Sequence, residues 1–186
     1  MEDKATSWIK KGIEVFAKYG NLELNTVCKE MGKSKSSFYH IYPNDKNSRG
    51  FDRYNKDLIE HHERIVNSNF EQIRKVFVLY KLENSLDQIL DLVMKYSDYH
   101  VFTARVRYMA ERGLGFEEYW KKLSQEYLEM FHYYYKAYNI HEDNVLDEIE
   151  MRLFLDSFMH YEEEYFHDEL MRIFKLMNKV HERMQE

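Results

Sequence analysis

One proline, Pro43, stands in a chain of 186 residues, and this scarcity constrains the fold more than any other feature. Proline locks φ and lacks an N–H, so it is the residue that stops helices. A chain that uses it once leaves almost its whole length open to helix. Glycine occurs six times. No run alternates β-branched with polar residues, and apolar residues recur instead at three- and four-residue intervals. The expectation is an all-α protein.

The stretch that the proline closes is the most informative one: Thr26-Val-Cys-Lys-Glu-Met-Gly-Lys-Ser-Lys-Ser-Ser-Phe-Tyr-His-Ile-Tyr-Pro-Asn-Asp-Lys46. It reads as a short helix, a turn at Gly32, and a second short helix ended by Pro43, which also biases Tyr42 toward extended backbone. Ser34 is a good N-cap, because its hydroxyl can accept from the unpaired amides of the first turn. The second helix, about Lys35 to Ile41, is too short to persist alone. Phe38 and Ile41, three residues apart, are left to anchor it to a core. Lys35, Ser36, Ser37, Tyr39 and His40 carry donors and acceptors suited to base edges or phosphates. This is the pattern of a helix-turn-helix whose second helix enters a DNA major groove.

The run from Gly32 to Lys46 resembles the recognition-helix signature of the TetR family of bacterial transcriptional regulators. Ile9-Lys-Lys-Gly-Ile-Glu-Val-Phe-Ala-Lys-Tyr-Gly20 resembles that family's first helix, with Phe16 and Gly20 at the expected places. The likeness covers roughly the first 50 residues of 186. Lys33 departs from it, standing where a small apolar residue is usual. Cys28 replaces a common Ala, and the segment from Gly20 to Val27 is about two residues short.

The resemblance implies a three-helix helix-turn-helix DNA-binding domain over residues 1–47. A helical effector-binding and dimerisation domain follows over 48–186, for about nine helices in all. It implies a sequence-specific regulator, usually a repressor, relieved by a small-molecule effector and acting on double-stranded operator DNA as a homodimer, with no cofactor and no enzymatic activity. Carried over residue by residue, Lys35, Ser36, Ser37, Tyr39 and His40 reach the DNA, with Ser37 and Tyr39 closest to the groove. Thr26 would cap the preceding helix and touch phosphate, as helix N-termini do. Tyr42 and Lys46 are further phosphate contacts.

Net charge is −6, which alone argues against a nucleic-acid partner, but its distribution reverses that impression. Residues 1–50 carry +3 and the remainder −9. A basic head on an acidic body is the asymmetry expected when only the head meets phosphates. The single cysteine, Cys28, excludes an internal disulfide and suits a reducing cytoplasm, where its expected role is buried packing. No signal peptide and no 18-residue apolar run is present, so a cytoplasmic protein without a membrane partner is expected.

Beyond the head, a helical run from about Ser48 to Leu82 carries Phe51, Tyr54, Leu58, Ile65, Phe70, Ile73, Phe77 and Tyr80 at helical intervals. Asn67-Ser-Asn69 is a candidate break within it. Such a helix would be the lever of a TetR-like chain. Asn84-Ser85 should cap a helix to about Tyr99, followed by helices over about Val101–Arg112 and Phe116–Tyr138. The last two should run over about Asn144–Glu163 and His167–Met184. The middle helices are rich in aromatic residues, and the resemblance implies an effector pocket there. Its candidate lining is Tyr96, His100, Phe102, Arg105, Met109, Trp120 and Tyr127, although aromatic stripes at this spacing also serve as plain core.

The last two helices have apolar stripes wider than one packing face needs. The resemblance places a dimer interface there, with Phe154, Phe158, Tyr161, Ile173, Phe174, Met177 and Val180 as candidates. The rival from another class is a di-iron carboxylate bundle using the Glu-x-x-His pairs Glu129/His132 and Glu164/His167. With 22 Glu and nine His, about one such pair arises by chance, and His61-His62 is more simply a solvated helix face. No glycine-rich phosphate loop, paired-cysteine motif or serine elbow is present to suggest catalysis.

Overall fold

Gly20 and Gly32 end the first two helices in the left-handed region, at φ 71° and 62°, where a side chain would be strained. Those two stops, with the Ser34 cap, divide the first 41 residues into α1 (Lys4–Tyr19), α2 (Leu24–Met31) and α3 (Lys35–Ile41). The computed structural model describes residues 3–79, 82–137, 144–160, 166, 168–173 and 175. The elements that follow are α4 (Gly50–Leu79), α5 (Leu82–Lys95), α6 (Ser97–Ala110), α7 (Glu117–Ala137) and α8 (Asn144–Ser157), then a 3-10 turn at Phe158–His160. The described residues contain no strand, so the fold is all-α. No described helix is long and apolar enough to cross a membrane.

The chain divides into two compact units, Met1–Ile65 and Val66–Glu186, with the division inside α4. The boundary expected near residue 47 lies further on because the first half of α4 belongs to the head's own core. Tyr54 and Leu58 are both fully buried there. Tyr54 donates its hydroxyl to the Trp8 carbonyl at 2.9 Å. Gly12 makes this approach possible: a Cβ on it would lie 2.0 Å from Tyr54 Oη and 2.6 Å from Leu58 Cδ1.

Phe38 is the centre of the head. Its ring meets Trp8 at 5.4 Å and Tyr54 at 5.2 Å edge-on, and stacks on Tyr42 at 5.3 Å. Such pairings add about 0.5–1.5 kcal/mol each beyond the area they bury. Ile41, expected to anchor α3 with Phe38, is only half-buried, and Trp8, Tyr42 and Tyr54 occupy the core instead. His61 and His62, expected on a solvated face, are both buried.

The second unit differs from the sequence expectation in two places. The 67–69 stretch does not break α4, which runs through it, and the break falls at Tyr96 between α5 and α6. Ser85 is buried within α5 rather than capping it. Asn69 explains why α4 tolerates a polar run. It is fully buried, donates to the Leu92 carbonyl at 3.1 Å, and accepts from His100 Nε2 at 3.0 Å. His100 Nδ1 lies 2.7 Å from the Tyr127 hydroxyl, which donates to Thr103 Oγ1 at 3.2 Å. Phe70, Phe154 and Phe158 surround this chain of hydrogen bonds. Arg107 then ties α6 to α8 through Asp156 and the Arg152 carbonyl.

Burial raises the pKa of Tyr54 and of Tyr127 above the ordinary tyrosine value. The unfolded phenols ionise from about pH 10 while the folded ones stay protonated, so the folded state binds more protons above that pH. Stability is therefore expected to be insensitive to these groups below about pH 10. Above it, stability should fall by about 1.4 kcal/mol per pH unit for Tyr127. Tyrosinate absorbance from the buried rings should appear together with unfolding in an alkaline titration. Early ionisation with the fold intact would contradict their burial.

Candidate nucleic-acid interface

Ser34 accepts from the Ser37 amide at 3.2 Å and closes the first turn of α3, the cap its sequence position implied. The seven residues of α3 then divide by helical geometry. At about 100° per residue, Ser36 and His40 lie opposite the buried Phe38 and form the outermost ridge. Lys35 and Tyr39 occupy one flank, and Ser37 and Ile41 the other. Ser36, Ser37, His40, Lys35 and Tyr39 are all exposed, so one helix turn and a half offers hydroxyl, imidazole, phenol and ammonium groups together. Ser37 and Tyr39 were expected closest to a groove. On α3 they occupy the two flanks, both exposed, Ser37 within 3.2 Å of the Ser34 hydroxyl and Tyr39 edge-on to Phe38 at 5.3 Å.

The flank carrying Ser37 borders an open groove of about 470 Å³. Trp8 and Ile41 supply its apolar lining, Ser36, Ser37 and His40 its polar edge, and Lys4 and Lys33 its charge. The Lys33 ammonium lies 5.8 Å from the centre of the Trp8 ring.

Beyond α3, a loop holds Lys46 at an exposed position. Asp45 accepts from the amides of Asn47 and Ser48, both at 2.8 Å, and pairs with Arg53. Those two amides, with the Arg53 charge, hold the Asp45 carboxyl below its ordinary value. Asn44 accepts from the Gly50 amide at 2.8 Å, and a Cβ on Gly50 would lie 1.8 Å from the Tyr42 carbonyl oxygen.

The phosphate contact expected of Tyr42 and the capping role expected of Thr26 need correction. Tyr42 is buried at 5% exposure, stacked on Phe38, and its phenol is held protonated by burial and by the neighbouring Asp57 charge. A surface phosphate cannot reach it. Thr26 does not cap α2, whose N-cap residue is Glu23. Thr26 stands half-buried in the first turn. Cys28 is buried as expected, and burial pushes its thiol up against the opposing influence of Lys35.

The pocket candidates of the second unit scatter. His100 and Tyr127 join in the buried network, and Phe102 is fully buried. Tyr96, Arg105, Met109 and Trp120 are half-buried. One cavity in this unit, about 20 Å³, is lined by none of the seven. Its walls are wholly apolar and include Phe70, Ile89, Met130, Phe131 and Phe154.

Among the dimer candidates, Phe154 and Phe158 are fully buried against His100, Phe131 and Phe166 of the same chain, so they are core rather than interface. Ile173 is half-buried, and Tyr161, Phe174, Met177 and Val180 lie outside the described residues. Among the α8 residues whose burial is described, the exposed apolar ones are Ile149 and Leu153, at 47% and 45%. They stand four residues apart, on the face that Phe154 does not occupy. Of the rival metal set, Glu129 is exposed and accepts from Gln125 at 3.1 Å, while Glu164 and His167 lie outside the described residues. No group of three or more potential metal ligands occurs among the described residues.

No family model, curated protein or solved structure matches the chain.

Proposed function

We propose that the chain is a sequence-specific, TetR-like transcriptional regulator that binds double-stranded operator DNA through α3. The observation that supports this most directly is the construction of α3. A seven-residue helix, unable to persist alone, is capped by Ser34, anchored by Phe38, and leaves five polar side chains exposed. The head's core takes only Phe38 fully from this helix, so packing leaves the five polar side chains unexplained, whereas a major groove is wide enough to admit the face that carries them. The +3 charge of residues 1–50 beside the −9 of the remainder fits the same reading.

In this proposal Ser36 and His40 read base edges, Lys35, Tyr39 and Ser37 support them from the flanks, and Lys46 holds phosphate. The regulator acts as a homodimer in a reducing cytoplasm. Its two recognition helices meet half-sites about one helical turn, ~34 Å, apart or a multiple of it. Ile149 and Leu153, exposed apolar residues of α8, support a second copy as partner. A small-molecule effector would relieve repression by preferring a conformation that no longer presents both helices to the operator. Ligand pockets usually measure about 300–1,000 Å³. An effector entering the cavity of about 20 Å³ would therefore have to displace side chains, Met130 most readily among them.

His40→Ala and Ser36→Ala are each expected to weaken operator binding by about 1–3 kcal/mol while leaving affinity for scrambled duplex nearly unchanged. Fluorescence anisotropy with both duplexes measures the ratio. Equal losses on the two DNAs would show that these residues do not read sequence.

A further inference from the structure

We propose that Lys33 and Lys4 form a phosphate clamp on the α1 flank of α3, seating a phosphodiester of the DNA strand that borders the groove α3 enters. The inference rests on the DNA-binding reading above and adds a site to it. Lys33 stands in the turn between α2 and α3, and Lys4 in the first turn of α1. Residues 29 positions apart thus line one concavity of about 470 Å³ beside Ser37 and His40.

Among the described residues neither ammonium has a carboxylate partner within ion-pairing distance, in a chain where other surface cations such as Lys11, Arg53 and Arg74 do. Both line the groove, and among the described residues no carboxylate does, so an anion seated there meets two positive charges and no negative one. Trp8 lies buried beneath the groove, and its ring face attracts the Lys33 ammonium, which limits where that charge can go. Lysine is a compact charge with three rotatable donors. It suits a phosphate oxygen, and it positions a protein on DNA without reading sequence. The groove also adjoins the outermost ridge of α3, so a strand whose bases meet Ser36 and His40 would carry its backbone along this flank.

The test is the salt dependence of duplex binding by the full chain, for wild type, Lys33→Ala, Lys4→Ala, the double variant and Lys33→Arg. Matching thermal melts confirm that each variant is folded. Each lost phosphate contact lowers the log–log salt slope by roughly 0.9. The affinity loss between about 50 and 200 mM salt should therefore shrink about 3.5-fold per alanine, on operator and random DNA alike. Lys33→Arg should keep the wild-type slope. A slope unchanged in the double variant, with wild type binding DNA, would overturn the clamp alone. Lysine-dependent binding of inorganic pyrophosphate with an unchanged DNA slope would reassign the groove to a small free anion. Wild type failing to bind any duplex would defeat the DNA-binding reading and the clamp with it.

Discussion

Phe38→Ala is expected to cost the head unit about 3–5 kcal/mol, the range for removing a fully buried phenylalanine. Phe38 has no exposed surface, and its ring is shared among Trp8, Tyr42, Tyr54 and Phe51. Its loss leaves a void that four large rings cannot fill without leaving their own rotamers. A unit this small has little stability in reserve, since whole domains hold only about 5–15 kcal/mol. The head should therefore be largely unfolded near physiological temperature, and all DNA binding should go with it. Urea unfolding followed by Trp8 emission, in a Trp120→Phe background, isolates this unit. A loss below about 1 kcal/mol would mean that Phe38 is not the anchor of α3.

His100→Leu is expected to destabilise the second unit by about 2–5 kcal/mol, even though it replaces a polar residue with an apolar one of similar size. The imidazole joins Asn69 Oδ1 and the Tyr127 hydroxyl, both inside the core. Leucine would strand the amide oxygen and take one partner from the phenol. The cost arises from these abandoned groups more than from the lost bonds, because removing both partners of a buried pair can be nearly neutral. His100→Leu/Asn69→Leu should therefore be less destabilised than the sum of the two single variants, by about 0.5–3 kcal/mol of coupling. Additive losses in chemical unfolding would show that the two side chains do not act as a pair.

What could be read before folding was local chemistry. Gly20 and Gly32 end helices because only glycine enters the left-handed region freely, and Ser34 caps α3 because its hydroxyl reaches the Ser37 amide. These effects act within four residues and leave their signature in order along the chain. Tyr42 is a phosphate candidate by the family resemblance alone, yet its ring turns back onto Phe38 and onto Tyr54, twelve positions away. Asn69 looked like part of a break because its partners, Leu92 and His100, are 23 and 31 residues distant. Phe154 and Phe158 showed the right periodicity for an apolar face. Periodicity does not say whether the same chain or a second one covers that face, and here His100 and Phe166 of the same chain do. The groove beside α3 has no signature along the chain, since Lys4 and Lys33 come together only when α1 packs beside the turn.

The most direct test of the DNA-binding proposal is equilibrium binding of the full chain to labelled duplexes spanning the intergenic DNA beside its gene. Salt and excess random competitor are the variables. The account predicts one duplex bound by two chains, resistant to competitor, with affinity falling steeply as salt rises. Binding to every duplex alike, or to none, would contradict it.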